Sequence, residues 1–378
     1  MNLLISRTTD YLYKYIAKPL MFKESPDAVH SGLIKLGSKV QCYSFFRWLM
    51  KSSWSYTNSV LEQTILGIDF KNPLGLSAGF DKNIELPPTI KSIGFGFMEG
   101  GTISLQSSDG NKRPWFYRLP KTKSIVVHAG LPNQGTKLVM DRIDGYPINT
   151  FDEFPLNVSV AQSNADTVNT VNKAIEDYLK GVKDIIASAN VQIITLNISC
   201  PNTYDGEPFS NPKSLEKLLA KVDGLKTELP VFLKMPNHLS WERFDPLLQV
   251  AANHQVSGVT ISNLAKRSDV VLKDTLPNEV QGGFSGKPTY ETSNDLIWRT
   301  RKKYKERFVV VGVGGIFSAD DAYTKIKLGA NLVELITGMI FEGPQLIGQI
   351  NRGLVKRLQQ DGFKSIKEAV GCDVPANK

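Results

Sequence analysis

Eight short β-prone runs, each separated from the next by helical periodicity, constrain this chain more than any other feature. They are Leu74–Ala78, Phe97–Gly100, Phe154–Val160, Ile193–Ser199, Val231–Met235, Gly258–Ser262, Phe308–Gly312 and Leu332–Ile336. Several are almost continuously apolar, the pattern of strands buried on both faces in a parallel sheet. Between them apolar residues recur at helical spacing, as in Val168, Val171, Ile175, Val182 and Ile185. Another helix is expected at Ser318, where Asp321 completes a capping-box pattern. Eight strand–helix units predict an α/β fold, a (β/α)8 TIM barrel. A doubly wound open sheet is the alternative, but no glycine fingerprint follows the first run.

The barrel leaves an N-terminal stretch over. Residues 1–60 read as a helical extension and 61–378 as the barrel. Ser25-Pro26-Asp27 has the chemistry of a helix start, with Val29, Leu33, Leu36 and Val40 following at helical spacing. An aromatic stretch comes next, with Phe45, Phe46, Trp48 and Trp54. The formal charge of the chain is +8, and residues 1–60 hold eight basic side chains against Asp10, Glu24 and Asp27. Basic amphipathic helices rich in aromatics suit an anionic membrane surface; a solvated face on a helical cap is the plainer alternative. No nucleic-acid recognition motif accompanies the charge, so no nucleic-acid partner is expected. No apolar run approaches the ~20 residues that span a bilayer, and the start shows no signal-peptide pattern. Cys42, Cys200 and Cys372 are too few and too scattered for a disulfide framework or a zinc site. A reducing compartment and no metal are therefore expected.

In a barrel of this kind, functional groups gather at the carboxyl ends of the strands. Six of the predicted strands lead into polar residues there: Ala78-Gly79-Phe80-Asp81-Lys82, Thr102, Asn157, Asn197 to Asn202, Lys234, and Ser262-Asn263. The turn Asn197-Ile198-Ser199-Cys200-Pro201-Asn202 combines amides that suit a cyclic amide or imide with a thiol able to act as base or nucleophile. A lysine inside a strand, such as Lys234, is costly to desolvate unless it meets an anion or polar ligand. Glycine loops at Gly282–Gly286, Gly314-Gly315 and Thr337-Gly338 fall where such barrels present backbone N–H groups to a phosphate, which points to a phosphorylated cofactor.

Phe70–Lys82, the Asn197–Asn202 turn, Gly283–Pro288 and Val311–Ile316 together resemble dihydroorotate dehydrogenases in order and spacing. The resemblance implies an FMN-binding barrel that oxidises dihydroorotate to orotate in pyrimidine synthesis. It implies FMN contacts at Ala78, Gly79, Lys82, Thr102, Asn157, Asn197, Lys234, Ser262, Gly286, Gly314, Gly315, Ile336 and Thr337. It places substrate contacts at Lys82, Gly130, Leu131, Asn197, Asn202 and Asn263, with Cys200 as the base that removes a proton from ring C5 while a hydride passes from C6 to flavin N5. The 1–60 extension is similar to that of the membrane-associated, quinone-using members. There His30 and Arg118 match residues of a quinone tunnel. The expected partners are thus a small-molecule substrate, a quinone and a membrane surface. The cytoplasmic face of a bacterial inner membrane is expected before the mitochondrial inner membrane.

The chain departs from the family pattern at three places. Cys200 stands where quinone-using members carry Ser and soluble members Cys. Val127 stands where an Asn helps to hold the substrate carboxylate, with His128 beside it. Leu264 and Ile336 replace a hydroxyl residue and a Tyr. Val127 and Leu264 motivate a second expectation, the same flavin chemistry on another cyclic amide or C=C substrate. A barrel lyase using Lys234 as a Schiff base, and a silent membrane-bound homologue, are further alternatives.

Overall fold

The computed structural model describes residues 3–147, 149–199 and 207–375. Eight parallel strands close into a barrel: β1 (Leu74–Leu76), β2 (Phe97–Ser104), β3 (Leu156–Ala161), β4 (Ile193–Asn197), β5 (Val231–Met235), β6 (Val256–Ile261), β7 (Val309–Val313) and β8 (Leu332–Leu335). Each pairs with its sequence neighbours, and β8 closes on β1 with Leu335 opposite Leu76. All eight predicted runs are strands, with boundaries shifted by a few residues.

The barrel interior changes character along its axis. Its lower layer is Phe97, Ile193, Phe232, Val311 and Leu332, closed from below by Phe70. Gly75 makes room for Phe97, because a Cβ there would lie 2.3 Å from the ring. Residues two further along a strand point the same way. The next layer on four of these strands is therefore Glu99, Thr195, Lys234 and Glu334, all buried. An apolar plug thus supports a polar layer that faces the carboxyl ends of the strands.

The outer helices pack their apolar stripes on the strands. In Val171–Ile186, Ala174, Ile175, Tyr178, Val182 and Ile185 are buried. That helix starts three residues after Val168 because Thr170 caps it, its Oγ1 accepting from Lys173 N at 3.3 Å. Ser318 caps Ala319–Lys327 as its sequence suggests, accepting from Asp321 N at 3.2 Å.

The N-terminal stretch forms α1 (Leu3–Leu12), a π turn (Tyr13–Ala17), α2 (Lys18–Lys23), α3 (Pro26–Val40) and α4 (Ser44–Trp54). Ser25 Oγ caps α3 by accepting from Ala28 N at 3.2 Å. Several bonds tie these helices to the barrel: Tyr13 Oη to Ile340 O at 2.7 Å, Lys18 Nζ to Phe341 O at 3.0 Å, and Trp115 N to the Asp27 carboxylate at 3.1 Å. Among the described residues, thirteen of the seventeen exposed large hydrophobic side chains lie between Ile5 and Leu49. No helix among those residues is long and apolar enough to cross a membrane.

Two small sheets complete the fold. Gln63–Ile65 and Ile68–Phe70 form a hairpin that delivers Phe70 to the barrel floor. Phe116–Leu119, Ser124–Val127 and Gly283–Phe284 form a three-stranded sheet beside the opposite rim.

Candidate active site

At the carboxyl rim two adjoining cavities share one wall. The larger, about 210 Å³, runs from Val29, His30 and Leu33 of α3 past Phe116 and Arg118 to Ala78, Thr102, Asn197 and Lys234. The smaller, about 90 Å³, is floored by Gly286, Gly314 and Gly315 with Ser262 and Thr337. Ala78, Lys234, Asn263, Leu264, Ser285, Ile336 and Thr337 line both. The path is therefore continuous from the helical extension to the glycine loops. Leu33 lines it and is also 40% exposed, so its outer end opens among the exposed apolar side chains of the extension.

The inner end is a hydrogen-bonded lattice built across strand ends. Asn197 Nδ2 donates to Thr102 Oγ1 at 2.9 Å, and Thr102 shares a 2.9 Å bond with Ser159. Asn197 Oδ1 accepts from Ser199 N and Oγ. Asn263 Nδ2 donates to Ser199 O at 2.8 Å and to its Oγ at 2.9 Å. From outside the barrel, Tyr178 Oη fixes the Asn197 carbonyl at 2.7 Å. Residues on β2, β3, β4 and after β6 thus hold one another in register around the cavity. Cys200 and Asn202, the expected base and one expected ring-binding amide, lie outside the described residues.

Lys234 meets the anion its burial requires. Its Nζ lies 3.2 Å from Glu99 Oε1 and donates to Ser77 Oγ at 3.4 Å. Lys82 donates to Gly79 O at 2.8 Å and sits 4.9 Å from the Phe116 ring centroid. Burial lowers the Lys82 pKa to about 8, against the opposing pull of Asp81 and Asp27. His30 Nε2–H donates to Phe80 O at 2.7 Å. Burial, reinforced by the Lys82 charge, holds its imidazole down at about 4, so it is neutral near pH 7. Arg118 donates to Glu24 O at 2.8 Å and lies over the Phe22 ring.

Of the described residues that the resemblance placed at the flavin, the substrate and the quinone tunnel, all but Asn157 line this path. Asn157 bonds Thr195 in both directions, at 2.8 and 3.0 Å, inside the barrel. Val127 lines the cavity, whereas its strand neighbour His128 lines a groove on the other face of the small sheet. His128 therefore does not replace the polar group missing at Val127. Gly130 and Leu131, both with left-handed backbone (φ 68° and 56°), do line the cavity. Sequence reasoning passed over Glu99, Glu334, Ser77 and Ser285. The signal for the two acids was present, a charge inside an apolar strand, as at Lys234.

A flavin mononucleotide fits this donor set. Gly314 (φ 111°), Gly315 (φ 73°) and Gly286 (φ 79°) hold left-handed backbone at the floor, where phosphate oxygens would find N–H groups. Lys234, Asn197, Thr102 and Ser262 then supply polar contacts for a ring.

Comparison with known proteins agrees. The family model described as dihydroorotate dehydrogenase matches residues 60–358. The chain belongs to the dihydroorotate dehydrogenase family. A Nostoc punctiforme protein named dihydroorotate dehydrogenase (quinone) is 30% identical over 97% of this chain and 100% of its own length. One of the same name from Parvibaculum lavamentivorans is 35% identical over 82% of this chain and 86% of its own length. A crystal structure described as DHODH in complex with ferulenol from Eimeria tenella has a TM-score of 0.81 at 25% identity, covering 92% of this chain and 96% of that one. Family membership makes the protein a flavin-dependent oxidoreductase.

Proposed function

We propose that this dihydroorotate dehydrogenase family member oxidises dihydroorotate to orotate in pyrimidine synthesis, with FMN as cofactor and a quinone as electron acceptor. The observation that carries the reading is the single path joining the glycine floor to α3. It offers a phosphate seat at one end, a polar ring-binding section in the middle and an apolar entrance at the other.

The residues divide the work along that path. Gly286, Gly314, Gly315 and Thr337 hold the phosphate; Ala78, Gly79, Thr102, Asn197, Lys234, Ser262 and Ile336 border the ring. When bound, the flavin supplies the two-electron acceptor for the substrate hydride. Lys82 gives the substrate carboxylate a cation, and the backbone N–H groups of Gly130 and Leu131 add donors where Val127 has none. Asn197, Asn202 and Asn263 present amides to the pyrimidine, and Cys200 takes the ring proton. Asn157 acts from one layer below by fixing Thr195. The apolar lining near Val127 and Leu264 keeps water from the reacting carbon. Residues 1–60 form an extension that rests on a membrane surface, with His30 and Arg118 flanking the way in for the quinone.

Dihydroorotate should bleach the visible spectrum of the purified holoenzyme, and a short-chain quinone should restore it. No bleaching at millimolar dihydroorotate would exclude the reading. A second reading, another cyclic amide or C=C substrate, is favoured by Val127, Leu264 and Ile336, which make the cavity apolar where the family has polar groups. A panel of cyclic amides tested for flavin bleaching separates the two.

A further inference from the structure

Three ionisable side chains share the polar layer of the barrel interior, and their charges do not balance. Glu99 of β2 and Glu334 of β8 are completely buried, and Lys234 of β5 is 4% exposed. Lys234 pairs with Glu99 Oε1 at 3.2 Å. Among the described residues Glu99 Oε2 and both oxygens of Glu334 make no well-formed hydrogen bond, and the Ser77 hydroxyl is the one uncharged donor that faces Glu334. Glu334 faces Glu99, Lys234 and the Ser77 hydroxyl, and β7 brings it only Val311, Gly312 and Val313. No second cation approaches it among the described residues. Glu334, Lys234 and Ser77 line the glycine-floored cavity, and Glu99 adjoins it through its pair with Lys234.

Two ionised carboxylates here would leave a net negative charge in the barrel and one carboxylate without a cation of its own. Such an uncompensated buried charge is strongly destabilising. Two carboxyls that share a site avoid this by holding one proton between them. That proton also turns one of the two carboxyls into a donor for the other. We propose that Glu99 and Glu334 share a single proton, so that their triad with Lys234 is electrically neutral and tunes the redox potential of the group bound in the adjoining cavity. Loss of the shared proton at alkaline pH then places negative charge beside the cavity and makes reduction of that group harder. Burial and the Glu99 charge both favour the protonated form of Glu334, which keeps the pair intact at neutral pH.

The tuning role rests on the flavin reading, whereas the proton itself does not. The experiment has one readout for each. In the infrared spectrum of the holoenzyme near pH 8, the pair gives a protonated-carboxyl band that shifts in D2O and disappears in Glu334→Gln. It disappears in Glu99→Gln as well, because Glu334 then becomes the carboxylate partner of Lys234. A wild-type spectrum in which neither variant removes such a band overturns the proposal. The midpoint potential of the bound flavin supplies the second readout. At neutral pH Glu334→Gln keeps the net charge and should stay within about 30 mV of wild type, tenfold in the two-electron equilibrium constant. At alkaline pH the wild type should fall below the variant. A neutral-pH potential raised well beyond tenfold in Glu334→Gln would mean that Glu334 is ionised, against the proposal. Absence of bound flavin would remove the cofactor reading and leave the infrared result to decide the pair.

Discussion

His30 Nε2–H donates to the backbone carbonyl of Phe80 at 2.7 Å, fastening α3 to the loop that follows β1. The same ring packs edge-on against Phe80 and Phe116. His30→Ala removes one hydrogen bond of about 0.5–1.5 kcal/mol, so kcat/KM for the quinone should fall about 2–10-fold. Flavin reduction by dihydroorotate, followed by stopped flow, should change less than twofold, since His30 stands at the entrance. The His30 pKa is lowered to about 4, so between pH 4 and the ordinary 6.5 the unfolded chain binds a proton that the folded one does not. Stability should therefore rise with pH across that window, and His30→Gln should flatten the rise in a melting-temperature profile.

Lys82 sets a limit at the other end of the scale. Its pKa of about 8 means that the ammonium is lost in mildly alkaline solution, well before an exposed lysine would lose it. If the ammonium meets the substrate carboxylate, kcat/KM for dihydroorotate should decline above about pH 8. Lys82→Met should cost about 10–200-fold at neutral pH, the worth of a hydrogen bond to a charged group, and should abolish the alkaline decline. An unchanged pH profile in the variant would assign the decline to another group.

Gly314 tests the phosphate seat. Its φ is 111°, and a Cβ there would lie 2.3 Å from Thr289 Oγ1. Gly314→Ala should destabilise the fold by about 1–3 kcal/mol through backbone strain and that contact. The protein should purify with substoichiometric flavin, read from the absorbance ratio. Gly362→Ala is the matched control, with φ 78° but open space around it, so it carries the strain without touching the floor.

The barrel could be read from sequence because most of its strands are short, largely apolar runs whose side chains are buried on both faces. The small sheet beside the rim could not. Gly283–Phe284 is two residues long and pairs with Val126 and Val127, far back in the chain, so no local pattern announces it. The hairpin under the barrel was missed for a related reason: its three-residue strands alternate exposed Thr64 and Asp69 with half-buried Ile65 and Ile68. At the site, polar residues at strand ends were legible because the fold class fixes where those ends gather. Glu99 and Glu334 escaped because their meaning depends on each other, and β1 separates their strands in the barrel. The tie between His30 and Phe80 likewise needed three dimensions, since a helix outside the barrel carries one partner.

The exposed face of the extension gives the proposed membrane contact a direct test. Tyr15 (68% exposed) shares its π turn with Lys14, and Phe45 (62%) and Trp48 (60%) share α4 with Arg47 and Lys51. Binding to vesicles should be tighter with anionic than with zwitterionic lipid and should weaken with salt. Trp48→Ala combined with Phe45→Ala should reduce partitioning roughly tenfold or more, given about 25 cal/mol per Å² of apolar surface withheld from the bilayer. Sedimentation with vesicles measures this directly, and equal partitioning of the variant would place the contact elsewhere.

Val127 decides how the substrate carboxylate is held. It lines the cavity beside Gly130 and Leu131, whose backbone N–H groups are the proposed donors there. If these groups and Lys82 suffice, Val127→Asn adds a donor to a carboxylate already satisfied. The gain in kcat/KM for dihydroorotate should then stay under about tenfold, or about 1.4 kcal/mol. If dihydroorotate is a poor surrogate for another substrate, the introduced amide fills a real vacancy. The gain would then approach the 1.5–3 kcal/mol typical of hydrogen bonds to charged groups, about 10–200-fold. Val127→Thr controls for shape, since it keeps the β-branched volume and adds a hydroxyl in place of the amide. A large gain with Asn, none with Thr, and an unchanged melting temperature would transfer the assignment to a substrate without a carboxylate at that position.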